Sequence, residues 1–477
     1  MKNFHSLFYF FSFFFFLNGL LVLFQSGISK AGIHEAPDEI IKNTIGFLDQ
    51  KSWTALFQVN RRFNGLIPQS VKAIQIKGDS VAEIKAQLTA FLFQSESEGQ
   101  VHTALAALNV SRSNITDEGL KALVEFVQAH FPNIRSLNLS GNKIGAVGAA
   151  YLKRLTQLEI LDLSQNEIGD EGVAHLVGLT QLKLLNLMGN NIGSVGVAHL
   201  AALTELKELI LYGNNIGSAG AAYLEGLTQL KVLDLGENHI ESAGAAHLAR
   251  LTQLKFLDLR WNNIGSSGAA HCVGLTQLEV LYLMDNHIDS SGAAHLAALT
   301  ELKVLILYGN NIESAGAAYL AGLTRLEVLI LYGNNIGSTG AVHLAGLTRL
   351  KLLDLNWNNI GSAGAAYLEG LTQLEILNLD RNNIGDQGVA HLVGMTQLKS
   401  LNLSHNNIGS AGAAYLTRLI QLKSLNLPFN NIGSAGALHL TGLTQLKWLN
   451  LFKNNISDAS LYVLEEALRG SLAIFFW

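Results

Sequence analysis

The stretch LTQLKVLDLGENHIESAGAAHLAR, Leu227 to Arg250, recurs with small changes immediately before and after itself, and its period decides the fold. Asn238 marks the register: an asparagine stands every 24 residues from Asn142 to Asn454, thirteen steps and therefore fourteen units without insertion. An irregular unit precedes them, since the segment from Leu108 to Ile115 aligns with that from Leu137 to Ile144 at a spacing of 29. Leu230, Leu233, Leu235 and Ile240 are expected to point inward, where only stacked neighbouring units can bury them. Asn238 is expected to turn inward as well and satisfy backbone groups, because an unpaired buried amide is costly. The Ser or Asp that follows, as in Asp170, Ser194, Ser218, Ser242, Asp386 and Asp458, reads as a helix N-cap. Gly-Ala-Ala, as at Gly220 to Ala222, keeps the helix after it thin.

The unit fits LxxLxLxxNxI, and on that pattern the chain resembles the leucine-rich-repeat family. The resemblance implies an α/β solenoid, a horseshoe with a parallel β-sheet on its concave face and short helices on its convex face. The regular array is expected to run over residues 108–456, after a degenerate start at 69–107. Residues 457–477 are expected to cap it, with an amphipathic helix from Leu461 to Leu468 and the apolar end from Ala473 to Trp477 covering the last core face.

In a parallel stack the residues between the inward leucines face the concave surface, together with the two residues before each asparagine. Those columns are rich in aromatics. They hold Tyr212, Phe256, Trp261, Tyr282 and Tyr308, then Tyr332, Trp357, Phe429, Trp448 and Phe452, with Met188 and Met284 between them. Charges are interleaved at Glu208, Asp234, Glu237, Asp258, Arg260, Asp285, Asp354, Asp380 and Arg381. Exposed aromatics with scattered charge are the composition of a protein-binding surface. The alternative is an aromatic ladder that only stabilises the sheet.

Composition restricts the function further. With 32 Lys and Arg against 37 Asp and Glu, the formal charge is −5 and no basic block faces a run of phosphates, so nucleic acid is not an expected partner. The 46 glycines and only 4 prolines suit a continuous array better than domains joined by linkers. Cys272 stands in a column that otherwise reads mostly Leu, as at Leu200 and Leu248, and reads as a small core residue. A column of His175, His199, His247, His271, His295, His343, His391 and His439 is interrupted by Tyr151, Tyr223, Tyr319, Tyr367 and Tyr415. Exchange with tyrosine favours packing on the helix flank over metal binding. Nine lysines at the second position of LxxL, Lys183, Lys231 and Lys399 among them, read as a solvated rim. No nucleophile motif, phosphate loop or paired metal-ligand motif is present, so neither an enzyme nor a cofactor is expected.

Two segments precede the array. Leu7 to Phe24 reads LFYFFSFFFFLNGLLVLF after Lys2, and residues 1–31 are expected to be a signal peptide or a membrane anchor. That places the chain as exported or membrane-associated, with the segment engaging a membrane. Ala36 to Leu66 reads APDEIIKNTIGFLDQKSWTALFQVNRRFNGL, two or three short helices opened by Pro37 with Asp38 and Glu39 at the positive end of the first. This stretch resembles an F-box. The match rests on Pro37, Asp38, Glu39, Ile40, Ile45, Leu48, Asp49, Leu56, Val59, Arg62 and Phe63, while Ala36 and Trp53 depart from the pattern. An F-box-like domain at 36–68 implies docking to the Skp-type adaptor of a cullin ubiquitin ligase. The repeats would then choose the substrate. With Gly-Ala-Ala-x-Leu-Ala in the helices, the whole is similar to the GALA-type F-box and leucine-rich-repeat effectors that bacteria deliver into the host cytosol. Other readings are that the helices simply cap the first repeat, or that the chain is a secreted or membrane-anchored recognition protein with no ubiquitin role.

Overall fold

The computed structural model describes residues 72–75, 80–97, 105–470 and 474–476. Among them, 17 strands form one sheet, and every adjacent pair along the sequence runs parallel. Within the regular array the register advances by one unit at each step, so that Leu233 lies opposite Leu209 on one side and Leu257 on the other. Strands of only three residues suffice because each is one rung in a continuous stack. The first strand, Lys72–Gln75, pairs with Leu105–Asn109. The last, Ile474–Phe476, pairs with Trp448–Asn450, so the C-terminal end adds a rung to the sheet rather than folding across its edge.

Between the strands the chain returns through short helices such as Glu241–Leu248 and Glu313–Leu320. The leucine columns meet in one unbroken core from Ile84 to Leu468, and Leu230, Leu233, Leu235 and Ile240 are all fully buried in it. Cys272 belongs to the same core, and burial pushes its thiol up to about 12. The helix Asp458–Leu468 closes the far end of the core with Leu461, Leu464 and Leu468.

The inward asparagines are bonded as their column implied. Asn262 Nδ2 donates to the carbonyls of Leu235 (2.8 Å), Leu259 (3.1 Å) and Arg260 (3.0 Å). Its Oδ1 accepts from the N–H of Asn238 and of Ile240, both at 3.0 Å. One side chain thus satisfies five backbone groups on two successive turns.

The helix starts differ from expectation. The helices begin one or more residues earlier, so the Ser or Asp lies within the first turn and reaches the next repeat instead of capping its own. Asp170 accepts from Gly193 N at 2.6 Å, Asp386 accepts from Gly409 N at 2.7 Å, and Ser218 Oγ donates to the Ile240 carbonyl at 2.6 Å. At the last helix the cap is Ser457, one residue before Asp458. Asp289 is a true cap, accepting from Ser291 N and Gly292 N.

Among the described residues no helix is long and apolar enough to cross a membrane. The exported or membrane-associated placement expected from Leu7 to Phe24 is corrected on that finding. That run and the F-box-like stretch from Pro37 to Phe63 both lie outside the described residues.

Candidate functional site: the concave face

The concave face is divided by chemistry along its length. In the middle, side chains from successive strands pack into a second apolar layer on the outer side of the sheet, including Ile210, Val232, Val304, Ile306, Val328 and Ile330, each no more than 4% exposed. Towards the C-terminal end the same columns become polar, with Asn378, Asn402, Asn426 and Asn450 in consecutive strands. The change follows from the sequence of each strand, while the scaffold beneath it is constant.

Close strand spacing, about 4.8 Å, decides which of the expected aromatics remain accessible. Phe256, Tyr282 and Tyr308 are 4%, 6% and 6% exposed and belong to the packed layer. Phe256 meets Tyr282 edge-on at 5.3 Å between ring centroids, and Tyr308 stacks on Tyr332 at 4.7 Å. These contacts cover three of the ten aromatics in the concave columns. Tyr212, Trp261, Tyr332 and Trp448 are half-buried, whereas Trp357 and Phe429 are 56% and 48% exposed.

Phe452 is exposed as well, but the two most exposed rings, Trp357 and Phe429, stand on unusual backbone. The residue just before each inward asparagine has a left-handed conformation, with φ of 55° at Trp261 and Trp357 and 54° at Phe429. Glycine occupies this position at Gly141, Gly189, Gly213, Gly309 and Gly333. A residue with Cβ pays about 1 kcal/mol there, and a bulky one is rare. Of the aromatics on the concave face, the two most exposed thus stand where a glycine would relieve strain.

Charge is buried among the aromatics. Asp234 and Asp258 face each other on adjacent strands, 4% and 0% exposed. Arg260 Nε lies 2.9 Å from Asp258 Oδ2, at an angle poor for a hydrogen bond, and its guanidinium covers the Tyr212 ring at 4.8 Å. Burial first, and then their mutual repulsion, hold the Asp234 carboxyl well above the usual range. Farther along, Asp354 accepts from Asn356 N at 2.9 Å and from Asn378 Nδ2 at 3.0 Å, yet burial still pushes it up to about 7. At the C-terminal end Asp380 pairs with His405 Nδ1 at 3.0 Å, and His405 stacks on Phe429 at 4.4 Å.

The lysine rim is an ion-pair ladder across repeats: Glu279 bridges Lys255 at 3.1 Å and Lys303 at 2.7 Å, and Glu375 meets Lys399 at 2.7 Å. Such exposed pairs are each worth about 1 kcal/mol or less. The histidine column lies on the convex helices, where His247 and His391 approach Glu225 and Glu369 at 3.5 and 3.4 Å. Among the described residues no group of three or more His, Cys, Asp or Glu side chains gathers in a metal-binding arrangement.

A family profile described as a leucine-rich repeat region matches residues 216–469, more than half of the chain. The chain belongs to the leucine-rich-repeat family. Further leucine-rich-repeat profiles match residues 132–192 and 102–124. Among solved structures, this leucine-rich-repeat chain is similar to an internalin, InlF, of Listeria monocytogenes, with 29% identity and a TM-score of 0.58 over 70% of this chain and 93% of the internalin. A leucine-rich-repeat protein of Leptospira interrogans matches at 19% identity and a TM-score of 0.55, over 79% of this chain and 96% of its own, and shows the fold alone. The comparison with curated proteins gives no match.

Proposed function

We propose that this leucine-rich-repeat chain is a non-enzymatic recognition scaffold that holds a protein partner on its concave face. The observation that carries the reading is the exposure of Trp357 and Phe429 on left-handed backbone. Each ring stacks on a neighbour, Trp357 on Tyr332 and Phe429 on His405, yet leaves a large part of its surface to solvent at a position where glycine is freer. Aromatic anchors on a polar and charged surround are the usual composition of interface hot spots. The buried aromatics Phe256, Tyr282 and Tyr308 support the sheet beneath, and the half-buried Tyr212, Trp261, Tyr332 and Trp448 present edges to the partner.

A photo-crosslinking amino acid at position 357 or 429 tests this. Capture of a discrete protein at those sites, and none from the convex position Tyr223, is the expected outcome. Capture from position 223 alone sinks the reading.

The resemblance of Pro37 to Phe63 to an F-box supports a finer role within it: a substrate receptor that carries its bound protein to a Skp-type adaptor, in the manner of GALA-type proteins. This rests on Pro37, Asp38, Glu39, Ile40, Ile45, Leu48, Leu56, Val59 and Phe63. Full-length chain is expected to retain a purified Skp-type adaptor, and a Leu48→Ala, Val59→Ala double variant is expected to release it. Equal retention by the two removes the ubiquitin role and leaves the scaffold reading intact.

A further inference from the structure

The ridge formed by the residues just before the inward asparagines drops to a glycine pair twice, at Gly189 and Gly213 and again at Gly309 and Gly333, and the second gap is flanked by a carboxylate and an indole. Asp285 and Trp357 stand three repeats apart, about 14 Å at the usual strand spacing, and the two intervening positions are Gly309 and Gly333. The result is an open cleft of about 440 Å³ lined by Asp285, Tyr308, Tyr332, Asn335, Trp357 and Asn359 together with the two glycines. Its lining contains one carboxylate and no cation.

The glycine beside that carboxylate is essential to the shape. A Cβ on Gly309 would lie 2.1 Å from Asp285 Oδ1, so any larger residue there displaces the carboxylate or covers it. Trp261 Nε1 donates to Asp285 Oδ2 at 2.9 Å, which fixes the group and leaves Oδ1 on the glycine side. Desolvation by its surroundings holds the Asp285 carboxyl above the usual range, against the bond from Trp261. A carboxylate so placed, with no Lys or Arg ion pair of its own among the described residues, gains from a cation arriving with the ligand.

We propose that this notch is the specificity pocket of the concave face and receives a basic side chain, Arg or Lys, of the partner protein, with its head group on Asp285. The methylene stem then lies along the Tyr308 and Tyr332 rings, and a neighbouring apolar residue of the partner packs against Trp357. Stacking Tyr332 on Trp357, 6.3 Å between centroids and 22° between planes, keeps that end rigid. The assignment rests on the scaffold reading above and names the chemistry of the partner segment.

Selection of a random peptide library on the full-length chain tests it, with Asp285→Asn and Trp357→Ala as comparison variants. Both substitutions keep the Trp261 bond or remove an exposed ring, and folding is checked by thermal unfolding. The expected result is enrichment of peptides carrying Arg or Lys beside an apolar residue. Their binding weakens roughly tenfold or more in Asp285→Asn and on replacing the basic residue with citrulline or norleucine, and it falls with rising salt. Peptides that bind without a basic residue, or bind Asp285→Asn as tightly as the parent, overturn the pocket while leaving the scaffold reading standing. A failure to select any peptide that competes with crosslinking at position 357 overturns both.

Discussion

At the residue scale, the inward asparagine ties each turn of the solenoid to the one before it. Asn262→Ala leaves the carbonyls of Leu235, Leu259 and Arg260 and the N–H groups of Asn238 and Ile240 without their partner. Unsatisfied buried groups of this kind cost about 1–3 kcal/mol each before relaxation, so denaturant unfolding is expected to show a loss of at least about 3 kcal/mol. The buried carboxylates set a pH dependence of known sign. Asp354 is held at about 7 against roughly 3.9 in an unfolded chain, and Asp234 is raised too. Between these limits the folded state binds protons that the unfolded state has released, so stability falls as pH rises from about 4 to 7 and levels off beyond. Asp289, held at about 2, has the opposite sign and acts only as the pH drops below about 4. Urea midpoints at pH 5 and pH 7.5 are expected to differ in that direction, and the difference is expected to shrink in Asp354→Asn. An unchanged pH profile in that variant would refute the assignment.

At the element scale, the helices are stitched sideways more than they are capped. In Glu241–Leu248 the glycine Gly244 faces its neighbour at contact distance: a Cβ there would lie 2.7 Å from Ile240 Cγ2 and 3.0 Å from Ser218 Cα. Gly244→Ala raises intrinsic helix propensity by about 1 kcal/mol but overpacks a backbone that cannot move without its neighbours, which costs about 1–3 kcal/mol. A net drop in thermal midpoint is expected. At Trp357 the balance is reversed. Trp357→Gly relieves left-handed strain and removes an exposed ring, so it is expected to unfold no earlier than the parent while losing partner capture.

The column that holds Trp357 shows what was legible in the sequence. The repeated leucine and asparagine columns carried the solenoid, because burial through stacking is a property of period alone. Gly309 and Gly333 stood in one column with Trp357 and Phe429, and that exchange was a readable sign of left-handed backbone. The burial of Phe256, Tyr282 and Tyr308 was not readable, since it depends on how closely neighbouring strands bring their outward side chains. The misplaced caps at Asp170 and Asp386 have a similar origin: a carboxylate near a helix start bonds to whichever N–H the next turn supplies.

At the scale of the whole molecule, every repeat rests on two neighbours and on nothing farther away. The segments at Leu307 to Ile330 and Leu331 to Asp354 both carry Leu-Tyr-Gly-Asn-Asn, present the same inward columns, and together supply the two glycines of the notch. Loss of one 24-residue unit between them would let the flanking rungs re-pair in register, with Asp285 and Trp357 brought one strand spacing, about 4.8 Å, closer. Gain of one would move them apart by the same amount. The width of the recognition groove is thus a quantised variable, adjustable in whole rungs by duplication or deletion of coding repeats, and a lineage carrying this gene can change the size of residue it admits without altering a single core side chain.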